Sequence, residues 1–319
     1  MPENKLADRL RDAIRLHGYS IRTEKAYLYG YERFVRFPKL RHPATMGAPE
    51  IEAFLTHLAA HEHVSASTQN QALSTLLFLY QEVLGIPLGD VHALRAKKST
   101  YVQPYLNHDE CLRILAKPDG APYLVACLLS GSGLRLLEAL RLRIQDLDVE
   151  NALIAVRDTK SNRDRMTFLP DEERFLQRLR AHLEGVRRLY EVHLDVPVSM
   201  PPALARKYPG AATSCGWQYL FPSPDLSVDT RTLVVKRHHL PPSGVQKALT
   251  TAVQSAGMTK RATAHTLRAA FAHRLKEAGD QLDDIQKLMG HADIRTTQHY
   301  LEGQVPAYKR LRGPLSSRP

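Results

Sequence analysis

Apolar residues return every three or four positions between residues 4 and 84, and this spacing predicts four helices, over 5–17, 23–37, 51–60 and 68–84. Pro49 suits the first turn of the third helix, and Ser67 stands where it would cap the fourth. Gly85, Pro87 and Gly89 then break the pattern. Helical spacing resumes after Asn107, which pairs with Glu110 as a capping box, and continues to Leu142. Between residues 144 and 169 the period shortens, and short antiparallel strands are expected over 146–149, 152–156 and 166–169. Pro170 opens another helix reaching about Val192, and further helices are expected over 243–257, 263–278, 282–289 and 294–301. The pattern predicts a mostly α fold with a small antiparallel sheet. It divides into a helical domain over 1–84, a linker over 85–104 and a mixed domain over 105–319.

Charge adds a partner to this picture. The chain carries 44 Lys and Arg against 33 Asp and Glu, a formal net charge of +11, and a polyanion is the natural partner. Arg95, Lys97 and Lys98 in the linker suit a path along phosphates, although a solvated charged loop is the plain alternative. Cys111, Cys127 and Cys215 have no zinc spacing, and their odd number argues against a disulfide framework, so a reducing cytoplasm is expected. No apolar signal core or bilayer-length stretch occurs, so a soluble protein with no membrane partner is expected. No carboxylate cluster suggests a metal site, and no cofactor is expected.

The candidate chemistry is split along the sequence. His265 and Arg268 stand on one face of a predicted helix, with His291 and a lone Tyr300 following, while Arg135 opens a helical stretch after Gly131-Ser132-Gly133 far upstream. Guanidinium forks grip phosphate oxygens, imidazoles move protons, and a phenol can join covalently to phosphorus. These residue types suffice to attack a phosphodiester without a metal. Each piece alone has an ordinary reading, as a surface pair, a turn or a packed ring; their order makes coincidence a poor account.

In that order the chain resembles the tyrosine recombinase (phage-type integrase) superfamily over nearly its whole length. The resemblance implies an N-terminal helical core-binding domain followed by an α+β catalytic domain. It assigns Arg135 and Arg268 as phosphate-clamping arginines, His265 and His291 as active-site histidines, and Tyr300 as nucleophile. Glu138 matches the acidic residue bracing the first arginine, and Lys160 falls at the hairpin lysine; Arg163, a candidate DNA-binding residue, could share that role, although guanidinium is a poor proton donor. The chain departs from the family where Ala269-Ala270 replaces the usual His-Ser, and where the hairpin lacks its usual glycines.

Residues 194–242 interrupt the second domain with a Pro-rich stretch holding Lys207, the sole tryptophan Trp217, and Lys236-Arg237-His238-His239. This segment resembles the additional domain of integron integrases, as does Arg41-His42-Pro43-Ala44-Thr45-Met46-Gly47. The resemblance implies insertion and excision of gene cassettes at duplex and folded single-stranded DNA sites, where planar and basic side chains meet unpaired bases. The ordinary reading places Tyr219 or Phe221 in a strand core, and no further ligand accompanies His238-His239 for zinc. The resemblance also implies that the tail over 303–319 packs into a neighbouring subunit of a homo-tetramer. Two rivals stand beside this reading: a phage- or Xer-type recombinase of duplex sites, and a catalytically decayed DNA-binding relative.

Overall fold

Two units, Met1–Tyr101 and Val102–Pro319, divide the chain, and the computed structural model describes residues 3–37, 41–97, 104–157, 164–200, 202–229 and 232–302. The first unit holds α1 (Glu3–Leu16), α2 (Ile21–Arg36), α3 (Ala48–Ala60) and α4 (Ala66–Phe78). Their apolar faces bury Leu10, Ile14, Phe34, Ile51, Leu55, Leu58 and Leu76 completely. Ser20 and Ser65 start α2 and α4 by accepting the backbone N–H of Thr23 and Thr68, at 3.1 and 3.2 Å. Ser65, not Ser67, is therefore the cap: its extended backbone places the hydroxyl under an open amide, whereas Ser67 already lies inside the helix. Nor does α4 stay regular to residue 84. It widens into a π-helical segment, Leu79–Leu84, closed by Gly85 at φ +67°.

The start of the expected linker is strapped to this unit. Gln69 donates to the Leu94 carbonyl at 2.6 Å and accepts from the Ala96 amide at 2.9 Å, while Glu52 accepts from the His92 amide at 2.6 Å. Lys97 is exposed at the end of this strap, and Lys98 lies outside the described residues.

The second unit begins with α5 (His108–Leu115), whose capping box closes as expected: Asn107 accepts from the Glu110 amide at 2.8 Å and Glu110 from the Asn107 amide at 2.9 Å. Next come α6 (Gly120–Gly131), buried continuously from Tyr123 to Ser130, and the short α7 (Leu136–Arg141). Three antiparallel strands follow in sequence order: β1 (Leu147–Asp148), β2 (Leu153–Val156) and β3 (Arg165–Phe168). The helices α8 (Glu173–Val192) and α9 (Pro202–Lys207) precede a hairpin of β4 (Pro222–Val228) and β5 (Val235–His239). The chain then forms α10 (Pro242–Ser255), α11 (Ala264–Ala278), α12 (Leu282–Met289) and α13 (Ile294–Glu302).

One core joins Leu124, Leu128, Leu140, Ile154, Phe175, Leu179, Leu249 and Leu267, and a smaller one gathers Phe271, Ile285 and Met289. Ala269 and Ala270, where the sequence departs from the family pattern, are both buried and introduce no polar group there. Among the described residues the cysteines are free, and no helix is long and apolar enough to cross a membrane.

Candidate active site

A tight turn brings the first arginine to the site. Gly133 lies at φ +65°, and a Cβ there would meet the Phe271 ring at 2.3 Å, so only glycine passes this close to α11. Arg135 follows as the cap residue of α7, and Glu138 folds back to accept its backbone N–H at 2.8 Å. Three guanidinium groups converge on the Glu138 carboxylate: Arg135 Nη1 at 2.6 Å, Arg165 Nη2 and Nη1 at 2.7 and 3.3 Å, and Arg268 Nη1 at 3.4 Å. Burial opposes charge on Glu138, but hydrogen bonding and attraction from Arg165, then the Arg135 amide and the Arg268 charge, prevail and hold its pKa at about 2. Three cations against one anion leave a net positive site, and Arg135 carries it to the surface with 43% of its side chain exposed.

The same arginines close the end of α12. Three consecutive carbonyls that have no partner within a helix terminus each take one of them. Leu288 accepts from Arg165 Nε at 3.0 Å, Met289 from Arg268 Nη2 at 2.5 Å, and Gly290 from Arg135 Nη2 at 3.0 Å. Arg268 is almost fully enclosed and also donates to the Gly133 carbonyl at 2.5 Å.

His291 sits between Arg268 Nη2, 3.1 Å from Nε2, and Thr297 Oγ1, 2.9 Å from Nδ1. Guanidinium can only donate, so Nε2 accepts and Nδ1 carries the proton. Burial first, then the charges of Arg268, Arg135 and Arg165 and the neighbouring His265, push this imidazole's pKa down to about 3. At neutral pH His291 therefore orients Arg268 and carries no charge. His265 occupies the exposed lip of α11, whose start is capped by Thr263. Its pKa is lowered by its partial burial, then by Arg268 and Arg135, so it too is neutral and able to accept a proton. Tyr300 belongs to α13, with its side chain outside the described residues, as are Lys160 and Arg163 entirely.

The 194–242 segment is stitched to this domain. Arg143, buried beside α7, lies 3.6 Å over the Tyr219 ring and donates to the carbonyls of Trp217 at 2.8 Å and Ser199 at 2.7 Å. Tyr219 and Phe221 are both buried, whereas Trp217 is half-buried, with Arg157 5.2 Å from its ring centre and Tyr208 6.1 Å away. Lys207 and His238 are exposed, and Lys236 pairs with Asp229 at 2.9 Å. Arg237 and His239, expected to meet DNA, are turned inward instead. Arg237 donates to the Ser223 carbonyl at 2.6 Å, and His239 holds the Leu240 carbonyl at 2.7 Å, so both serve the hairpin's own fold.

Comparison with known proteins supplies what geometry alone does not. Residues 104–305 match the model of the phage integrase family, and residues 6–90 match the phage integrase N-terminal SAM-like domain. The chain belongs to the phage integrase family of tyrosine recombinases. An Escherichia coli integrase/recombinase is 40% identical over 99% of this chain and 94% of its own length. Tyrosine recombinase XerD of Agrobacterium fabrum is 29% identical over 84% of this chain and 80% of its own. A lambda integrase tetramer bound to a Holliday junction shares the fold, with a TM-score of 0.61 and 18% identity over 93% of this chain and 76% of that one. As a tyrosine recombinase this enzyme cleaves and rejoins DNA. Arg165, which meets Glu138 beside Arg135 and Arg268, belongs to no helical face or spaced motif that would mark it in the sequence.

Proposed function

We propose that this recombinase is of the integron integrase type, with Tyr300 as its nucleophile. The Tyr300 oxygen attacks the scissile phosphorus as its proton passes to His265. The bond from phosphorus to the 5′ oxygen breaks, and that oxygen takes a proton from Lys160. A 3′ phosphotyrosyl bond keeps the energy of the broken linkage, and attack by another 5′ hydroxyl reverses the steps and reseals the strand. Arg135 meets the phosphate directly; Arg268 does so by exchanging one of its carbonyl partners for a phosphate oxygen. The gathering of guanidinium groups on Glu138, fixed before substrate arrives, is the observation that carries this reading, because preset donors need no reorganisation as charge builds.

The integron assignment rests on the insert. Half-buried Trp217, with Arg157 and Tyr208 beside it and exposed Lys207 and His238 nearby, supports stacking against unpaired bases. Trp217→Ala and His238→Ala should each weaken binding to a folded single-stranded hairpin with extrahelical bases, while binding to a duplex site changes little. At ~1–3 kcal/mol per stacked base, the loss for Trp217→Ala is about five- to hundredfold. Equal losses on both substrates, with melting unchanged, would favour a recombinase of duplex sites, the reading that likeness to XerD supports. The tail over 303–319, outside the described residues, is proposed to join subunits of a tetramer on DNA, as the likeness to the lambda integrase tetramer supports.

A further inference from the structure

Arg165 makes three side-chain hydrogen bonds in the site, two to Glu138 and one to the Leu288 carbonyl, and no motif names it. It opens β3 opposite Val156, the last strand pair before residues 158–163 of the β2–β3 hairpin. Its side chain is only 9% exposed, so its hydrogen bonds are shielded from water. The fork grips both oxygens of Glu138, while Nε reaches the Leu288 carbonyl at 3.0 Å. The space it fills depends on glycine: a Cβ on Gly290 would stand 2.7 Å from Arg165 Nη1.

We propose that Arg165 is a positioning residue for DNA cleavage, fixing the bases of the β2–β3 hairpin, of α7 and of the turn after α12 in one frame. A carboxylate offers about four acceptor directions. Arg165 takes two on Glu138, the Arg135 amide and side chain take two more, and Arg268 Nη1 makes a longer contact. With two acceptor positions taken by Arg165, Arg135 meets the carboxylate through Nη1 alone and Arg268 approaches it only to 3.4 Å. Without it, the carboxylate would draw Arg135 and Arg268 inward, away from the phosphate. The hairpin carrying Lys160 would also lose its tie to the Gly290 turn that holds Arg135. The inference rests on the assignment of Arg135 and Arg268 as phosphate clamps.

Lysine keeps the charge of Arg165 but lacks the planar fork, and methionine keeps the stem without charge. Full-length Arg165→Lys and Arg165→Met are compared with wild type for duplex affinity and for single-turnover covalent trapping on a nicked suicide substrate at saturating protein, from pH 5 to 8. Both variants should bind DNA within about threefold of wild type and cleave slower by on the order of 10², the scale for losing one preorganised donor. Methionine should also add an acid limb to the rate, because Glu138 then faces only Arg135 and Arg268, with His291 and His265 beyond them, and gains its proton at higher pH. Full activity of either variant, recovery by lysine, or a loss confined to DNA affinity would overturn the proposal. So would a loss explained by the unfolded fraction alone, read by melting under assay conditions. Arg135→Lys runs alongside: if it cleaves normally, the clamp assignment fails, whereas a dead Arg135→Lys beside an active Arg165→Met refutes only the role of Arg165.

Discussion

Replacing Glu138 with glutamine removes one charge at the point where three arginines meet. Glu138 titrates at about 2 against an ordinary 4.5, and at ~1.4 kcal/mol per pH unit this difference corresponds to ~3 kcal/mol favouring the folded, ionised form. An independent estimate agrees: removing one member of a buried ion pair costs ~3–5 kcal/mol, and only 12% of this side chain is exposed. The glutamine oxygen still accepts one hydrogen bond, but its amide points a donor at a guanidinium, so a loss of ~2–4 kcal/mol is expected for Glu138→Gln. Trp217 is the sole tryptophan and lies in the second unit, so its fluorescence during urea unfolding follows that unit alone. The folded pKa is depressed, so the stabilisation is complete above pH 4.5 and disappears as pH falls through 2. The gap between wild type and Glu138→Gln should therefore be nearly constant from pH 8 to 5 and narrow by ~1.4 kcal/mol by pH 3.5. A gap under 1 kcal/mol at pH 7, or one that ignores pH below 4.5, would refute the electrostatic account.

Gly290→Ala should cost ~1–2 kcal/mol, because φ is +62° and the new Cβ presses on Arg165. Chemical denaturation measures that cost, and suicide-substrate trapping should show slower cleavage by tenfold or more. His291 and His239 have folded pKa values pushed down from 6.5 to about 3 and about 4, each chiefly by burial. The unfolded chain then binds more protons below pH 6.5, so these two residues make stability fall as pH drops from 6.5 towards 4, with a slope approaching ~1.4 kcal/mol per pH unit for each. His239→Gln should reduce the slope by about one proton, as measured by denaturation at several pH values; an unchanged slope would show that His239 is not buried neutral.

Local signals were legible where one residue satisfies one neighbour. The Asn107–Glu110 box follows from side chains that each reach the other's backbone three residues away, and the helix it starts falls where periodicity predicts. Ser65 and Ser67 are chemically alike, so sequence could not choose between them; backbone direction did. Strand β3 reverses the usual alternation: Met166 and Phe168 are 50% and 48% exposed, while Thr167 is buried and Arg165 points to Glu138. Polar partners outside the sheet favour that register: Arg165 meets Glu138 and Leu288, and Thr167 donates to the Ser132 carbonyl. Packing within the β4–β5 hairpin overturned the simple reading of the basic run at 236–239. Arg237 and His239 fill carbonyl positions inside the fold, leaving Lys236 paired and His238 at the surface.

The proposed strand cleavage by Tyr300 within this arginine-lined site has a direct test. A nicked duplex carrying a recombination site, which loses a short 5′ fragment once cut, traps any covalent protein–DNA complex. Wild type should accumulate a complex that survives denaturation, and peptide mapping should place the DNA on Tyr300. Tyr300→Phe should give none while binding the same DNA with affinity close to wild type. A covalent complex formed by Tyr300→Phe, or one mapped to another residue in wild type, would contradict the account.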